Sequence, residues 1–266
     1  MELNPILNEF KVLVEIVARL RGPNGCPWDQ EQTQKSLTQY AIEEAFELVE
    51  AIEAGLPQEI REELGDFLFQ VILQSQVAQD EGQFSLLEVL QTLNEKLMRR
   101  HPHVFGQESA QNSHEVWKKW DQLKALEKKN PRIFSYPKGL PALQAAYKIG
   151  LKTKRLHFDW DQASDVMAKV HEEISELQAE MAQDKVAPEA LEHELGDVLF
   201  SVAQLARHLG LKPEQCLRSA NRRFEDRFNL VLELSGRSPE DFSKITTPEK
   251  EALWQEAKKR LAVDKS

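Results

Sequence analysis

The chain has 266 residues, 41% hydrophobic and 29% charged, which suits a globular protein of one large or two ordinary domains rather than a disordered one. Its 34 basic residues against 44 acidic ones leave a net charge of −10. That excludes a protein built mainly to grip a nucleic-acid polymer, which needs a dominant basic surface. Two cysteines, Cys26 and Cys216, are too few for a disulfide framework or a zinc–cysteine site, so a reducing cytoplasm is the expected location.

The N-terminal run MELNPILNEFKVLVEIVARL is interrupted by Glu2, Glu9, Lys11 and Glu15, and so reads as neither signal peptide nor membrane span. Strand signals are scarce, and helical periodicity fills the segments between glycine and proline punctuation, which predicts an all-α fold. AGLPQE (54–59) stops one helix at Gly55 and starts the next near Pro57. VAPEA (186–190) plays the same part later, and NPRIFSYPKGLPA (130–142) holds three prolines. The expected domains are 1–130 and 143–266, joined by a proline-rich linker over 131–142.

The chain is written twice. WDQ (28–30) returns at 160–162, EEAFE (43–47) as EEISE (172–176), and ELGDFLFQV (63–71) as ELGDVLFSV (194–202). NEKLMRR (94–100) returns as NRRFEDR (221–227), and Trp120 with Lys124 as Trp254 with Lys258. Five matches in one order mark a duplication.

On a helical wheel with steps of about 100°, Leu64, Phe67, Leu68, Phe69, Val71 and Ile72 cover most of the circumference, while Glu63, Asp66 and Gln70 share a stripe only about 60° wide. The second copy repeats this with Glu194, Asp197 and Ser201. A helix apolar nearly all round is expected to be buried, and one half-chain offers few helices to cover it, which predicts a homodimer in which matching halves pair. Buried carboxylates need a compensating cation. Glu44 and Glu47, and likewise Glu173 and Glu176, lie three apart on the preceding helix. Antiparallel packing of the two helices then makes four carboxylates converge in each half. No histidine is read at the helical spacing, although His193 neighbours Glu194. An all-oxygen set suits Mg²⁺ or Mn²⁺.

Lys96 and Arg100, and Arg223 and Arg227, are spaced four apart on a basic helix suited to phosphate oxygens. Acids, a hard metal and a basic helix together point to phosphoanhydride chemistry, with Glu43 and Glu172 orienting a water. A lone E-x-x-E is usually a solvated face, and HPHVF (101–105) more often ends a helix than binds metal. It is the duplicated combination that singles these residues out.

GCPWDQEQT (25–33), EEAFELVEAI (43–52), ELGDFLFQV and RRHPHVFG (99–106) together resemble the MazG family of nucleoside triphosphate pyrophosphohydrolases, in its tandem form, over nearly the whole chain. The resemblance implies two tandem helical bundles with helices completed across a homodimer. It also implies Mg²⁺-dependent hydrolysis of NTPs and dNTPs between the α and β phosphates, giving a nucleoside monophosphate and pyrophosphate. It puts the metal ligands on Glu44, Glu47, Glu63 and Asp66 and on Glu173, Glu176, Glu194 and Asp197. Glu43 and Glu172 stand at the leading position of the same motif. Lys96, Arg100, Lys124, Arg223, Arg227 and Lys258 fall at phosphate-binding positions, and Trp120 and Trp254 beside the nucleotide. The second half departs at its start, with HFDWDQ (157–162) for GCPWDQ and no HPHVF. Neither half has lost an acidic ligand; the extra elements of the first tilt turnover toward the second. Two other readings stay open. One is a narrower hydrolase acting on dUTP or phosphoribosyl-ATP; the other is a non-catalytic helical regulator or adaptor.

Overall fold

The computed structural model describes residues 3–127, 133–134, 136–183 and 187–263. Among these residues there are helices and turns and no strand. The chain divides into two compact units, Met1–Lys129 and Asn130–Ser266. Residues 131, 132 and 135 of the expected linker lie outside the described residues.

The first unit holds α1 (Leu3–Arg21), α2 (Pro27–Glu31), α3 (Thr38–Ala54), α4 (Pro57–Asp80), α5 (Leu86–Arg100), α6 (Pro102–Phe105) and α7 (Ser113–Leu126). Gly55 adopts φ 73°, a left-handed conformation that closes α3, and its N–H donates to the carbonyls of Ala51 and Ile52. Pro57 at the first turn of α4 gives up no helical hydrogen bond, so α4 folds straight back on α3 as a hairpin. Ser85 and Glu88 form a reciprocal capping box that starts α5. Helix α5 packs on both α4 and α7. Val17, Leu37, Ile72, Leu73 and Val77 make the core, flanked by Phe10, Leu13 and Phe69.

The second unit repeats the plan with α8 (Ala142–Lys154), α9 (Ala163–Met181), α10 (Pro188–His208), α11 (Pro213–Ser235), α12 (Pro239–Ser243) and α13 (Thr247–Val263). Helices α9 and α10 form its hairpin, α11 packs on α8, α10 and α13, and Val231, Phe242 and Ala257 centre a core that includes Trp254.

The expectation of a buried hairpin helix holds for only part of α4. Ile72, Leu73, Val77 and Ala78 are buried, but the acidic end leaves Leu64 52% and Leu68 40% exposed. Leu195 and Leu199 of α10 are 50% and 51% exposed. The wheel counts apolar positions, whereas the unit supplies neighbours on one side only.

Candidate metal and phosphate site

The hairpins bring together residues far apart in sequence. In the first unit, carboxylate oxygens of Glu44, Glu63 and Asp66 lie within 4.8 Å of one another; in the second, those of Glu173, Glu194 and Asp197 do the same. The three-residue spacing of Glu63 and Asp66 puts both on the α4 face that meets α3, and the turn at Gly55 sets the register that delivers Glu44. Glu47 and Glu176 stand outside these sets of three. Both are still felt electrostatically: the Glu47 charge helps to raise Glu44 and Glu63, and the Glu173 charge helps to raise Glu176.

Burial raises Glu44 first, followed by the charges of Asp66 and Glu47, while a hydrogen bond with Gln70 opposes them. Burial likewise raises Glu63, ahead of the charges of Glu47 and Asp66. Glu176 rises through burial and then the Glu173 charge. Crowded carboxylates that resist ionising are what a bound cation would relieve. An all-carboxylate donor set suits a hard divalent ion and offers a softer metal no nitrogen or sulfur, so these clusters can hold such an ion.

Glu43 sits beside the first cluster and its charge also acts on Glu44. Glu172 is engaged differently. Lys169, which the sequence reading passed over, places Nζ 2.8 Å from Oε1 of both Glu172 and Glu173. The K-x-x-E-E spacing was there to be read, since residues three and four apart share a helix face. A second correction concerns His193. It does stand at the helical spacing, one turn before Asp197, with Nε2 3.4 Å from Oδ2 and the ring mostly exposed.

The basic helices do not present equivalent cations. Arg100 lies over the Trp120 ring, 5.3 Å from its centroid, and Arg227 over Trp254 at 4.7 Å. Arg100 is already engaged by Glu127, together with Arg99. Arg227 keeps a buried Nε with no hydrogen-bond partner. Arg223 donates to the Ser219 hydroxyl at 2.7 Å. Lys96 is half-buried, and Lys124 and Lys258 are exposed.

Residues 32–105 and 162–232 each match the MazG nucleotide pyrophosphohydrolase domain. The chain belongs to the MazG family. It is 40% identical over 259 residues to a nucleoside triphosphate pyrophosphohydrolase of Escherichia coli, covering 96% of this chain and 98% of the relative. It is also 40% identical over 252 residues to the nucleoside triphosphate pyrophosphohydrolase/pyrophosphatase MazG of Thermotoga maritima, covering 94% and 95%. A nucleoside triphosphate pyrophosphohydrolase of Mycobacterium tuberculosis matches over 126 residues at 38% identity, or 46% of this chain and 38% of the relative. Every acidic residue of the two clusters falls inside the matched MazG regions, as do Lys96, Arg100, Arg223 and Arg227. Trp120, Lys124, Trp254 and Lys258 lie beyond them, on α7 and α13.

Proposed function

We propose that this MazG-family enzyme hydrolyses NTPs and dNTPs between the α and β phosphates with Mg²⁺, releasing a nucleoside monophosphate and pyrophosphate. The observation that carries this reading is the acidic triad at the same place in both hairpins, with ligand atoms within 4.8 Å. Glu44, Glu63 and Asp66, with Glu47 beside them, would hold the ion in the first half; Glu173, Glu194 and Asp197, with Glu176, in the second. An ion held there would supply charge to neutralise phosphate oxygens and to lower the pKa of a water. Glu43 and Glu172, at the edge of each triad, orient the attacking water. Arg227 offers its unsatisfied Nε to a phosphate oxygen, supported by Arg223 and Lys258. Trp254 backs Arg227 and gives the nucleotide an aromatic wall. In the first half Lys96, Arg100, Trp120 and Lys124 take the corresponding places. Mn²⁺ fits the same donors, and the cytoplasm, where the substrates are, is the place of action.

The exposed apolar residues at the acidic ends of α4 and α10 favour a homodimer that covers them. Among the described residues no helix is long and apolar enough to cross a membrane. Light scattering is expected to give twice the chain mass of 30.6 kDa at micromolar concentration, and a monomer would count against the dimer.

The test of function is pyrophosphate release from a panel of eight NTPs and dNTPs with Mg²⁺, repeated with EDTA. Release from most of the panel, abolished by EDTA, is the expected result. Activity confined to dUTP would favour the narrower hydrolase. No release from any nucleotide would favour the adaptor.

A further inference from the structure

We propose that Glu127 is an internal stand-in for a phosphate in the first half, and that it reserves triphosphate binding for the second. This rests on the reading that the basic helices hold phosphates.

Glu127 lies just beyond α7, 27 residues from Arg100 in sequence, and is brought to it by the packing of α5 on α7. Its Oε1 accepts from Arg99 Nε at 3.0 Å, Arg99 Nη2 at 2.8 Å and Arg100 Nε at 3.1 Å. Its Oε2 accepts from Arg100 Nη2. Two carboxylate oxygens shared by two guanidinium forks reproduce the pattern in which such forks hold a phosphate. The Arg100 side chain is only 13% exposed and that of Glu127 23%, so the contact is partly shielded from solvent screening. Hydrogen bonds from Arg100, then Arg99, hold the Glu127 carboxyl down at about 2, so it stays an anion at neutral pH.

The second half keeps one arginine of this pair, and among the described residues its buried Nε has no hydrogen-bond partner. Arg227 rests on Trp254 as Arg100 rests on Trp120. The register that pairs Trp120 with Trp254 and Lys124 with Lys258 puts Leu261 opposite Glu127, and the α5–α11 register puts Asp226 opposite Arg99. Leu261 has no anion to offer, and Arg227 Nε is left buried and unsatisfied. A polyphosphate entering the first half must displace a carboxylate that already satisfies both arginines. One entering the second half supplies a missing acceptor, and an unsatisfied buried donor is costly until it is paired.

The test uses the full chain and an α,β-methylene ATP analogue with Mg²⁺, followed by calorimetry. In an Arg227→Ala background, which disables the second platform, the analogue is expected to bind weakly. Adding Glu127→Leu, which copies Leu261, should tighten binding at least about tenfold, the scale of a freed charge-assisted contact. Glu127→Gln, which keeps size and removes charge, should fall between and carries the test if the leucine variant does not fold. Equal binding by Arg227→Ala with and without either Glu127 change, at unchanged melting temperature, overturns the inference. So does binding by Arg227→Ala as tight as that of the natural chain, because the first platform would then already be open. Pyrophosphate release by the natural chain separates the two levels. If it is absent, the reading beneath fails and takes the inference with it; if it is present without a gain in the variants, the inference alone falls.

Discussion

The first half has Tyr40 one helical turn before Glu44 of its acidic triad, with its ring edge-on to Trp28, and closes its arginine pair with Glu127. The second half has Lys169 at the position of Tyr40, paired with Glu172 and Glu173, and leaves Arg227 Nε without a hydrogen-bond partner over Trp254. Both halves keep every acidic residue of the proposed site, so they differ in their internal counter-ions rather than in their acids. An internal cation on the acids is released when a metal arrives. An internal anion on the arginines would, on the proposal above, compete with the substrate itself. If the proposed roles hold, the same scaffold serves two different states of readiness for a triphosphate, with the second half the readier one.

The sharpest way to break this comparison is to remove one ligand from each half in turn. Asp197→Asn keeps shape and removes a charge from the second triad; pyrophosphate release should fall by at least about a hundredfold, since even the partners behind a metal's ligands are worth about 10–100-fold. Asp66→Asn should cost at least about tenfold less. Neither change should lower the melting temperature in EDTA, because each relieves repulsion among crowded carboxylates. Equal losses from the two variants would mean that both halves turn over. A fall in melting temperature that tracked activity would mean that the aspartates are structural.

The hairpin triads were legible because they rest on local arithmetic. Glu63 and Asp66 are three apart, Gly55 and Pro57 mark a tight reversal, and the whole pattern is written twice. The counter-ions were less legible. Lys169 needed only a helical spacing check, as did His193 with Asp197. Glu127 could not be found that way, since nothing in its local sequence aims it at residues 27 and 28 positions earlier. The exposure of Leu64 and Leu195 was also out of reach, because apolar periodicity states what a helix needs and not which chain provides it.

A second long-range feature separates the halves at their starts. Arg207 donates to both Asp159 oxygens, from Nη1 at 2.9 Å and Nη2 at 2.5 Å, and to Gln204 Oε1 at 2.8 Å, while Gln204 donates to the Ala146 carbonyl. Gly150 makes room for this network: a Cβ there would meet Gln204 Oε1 at 1.8 Å. The first half has Pro27 opposite Asp159, and its Arg21 is held instead by Asp80 at 2.6 Å and by the Asp29 and Gln32 carbonyls. Burial alone would raise the Asp159 carboxyl, but hydrogen bonds from Arg207 and His208 outweigh it and hold the group at about 2, against an ordinary 3.8. A depressed folded-state value stabilises above the unfolded one and is lost as pH falls through the folded one. Asp159 therefore contributes about 2 kcal/mol above pH 4, fading as pH drops toward 2. Asp159→Asn should lower the melting temperature of the second unit's transition at pH 7, with the gap closing near pH 2. A gap of the same size at both pH values would show that charge is not what the contact contributes.

The smallest expected effect tests the internal cation. Lys169 is 32% exposed and holds Glu173, which is 7% exposed, so a divalent ion reaching the second triad must first displace it. Partly exposed pairs of this kind are worth about 0.2–1 kcal/mol, which sets the handicap of the second triad for metal without nucleotide at about fivefold or less. Lys169→Met should remove it, tightening Mn²⁺ binding in the absence of nucleotide by about threefold, read by electron paramagnetic resonance. The same change strands the Glu173 carboxylate in a buried position, so the melting temperature in EDTA should fall. Adding Mn²⁺ should restore more stability to the variant than to the natural chain, since the ion then replaces the positive charge that Glu173 lost with Lys169. Metal affinity and metal-free stability thus move in opposite directions, a pattern that a purely structural lysine would not produce. If Mn²⁺ binding is unchanged or weaker in Lys169→Met, the lysine is not an occupant that metal displaces, and the contrast between the triads is reduced to Tyr40 and its edge-on contact with Trp28.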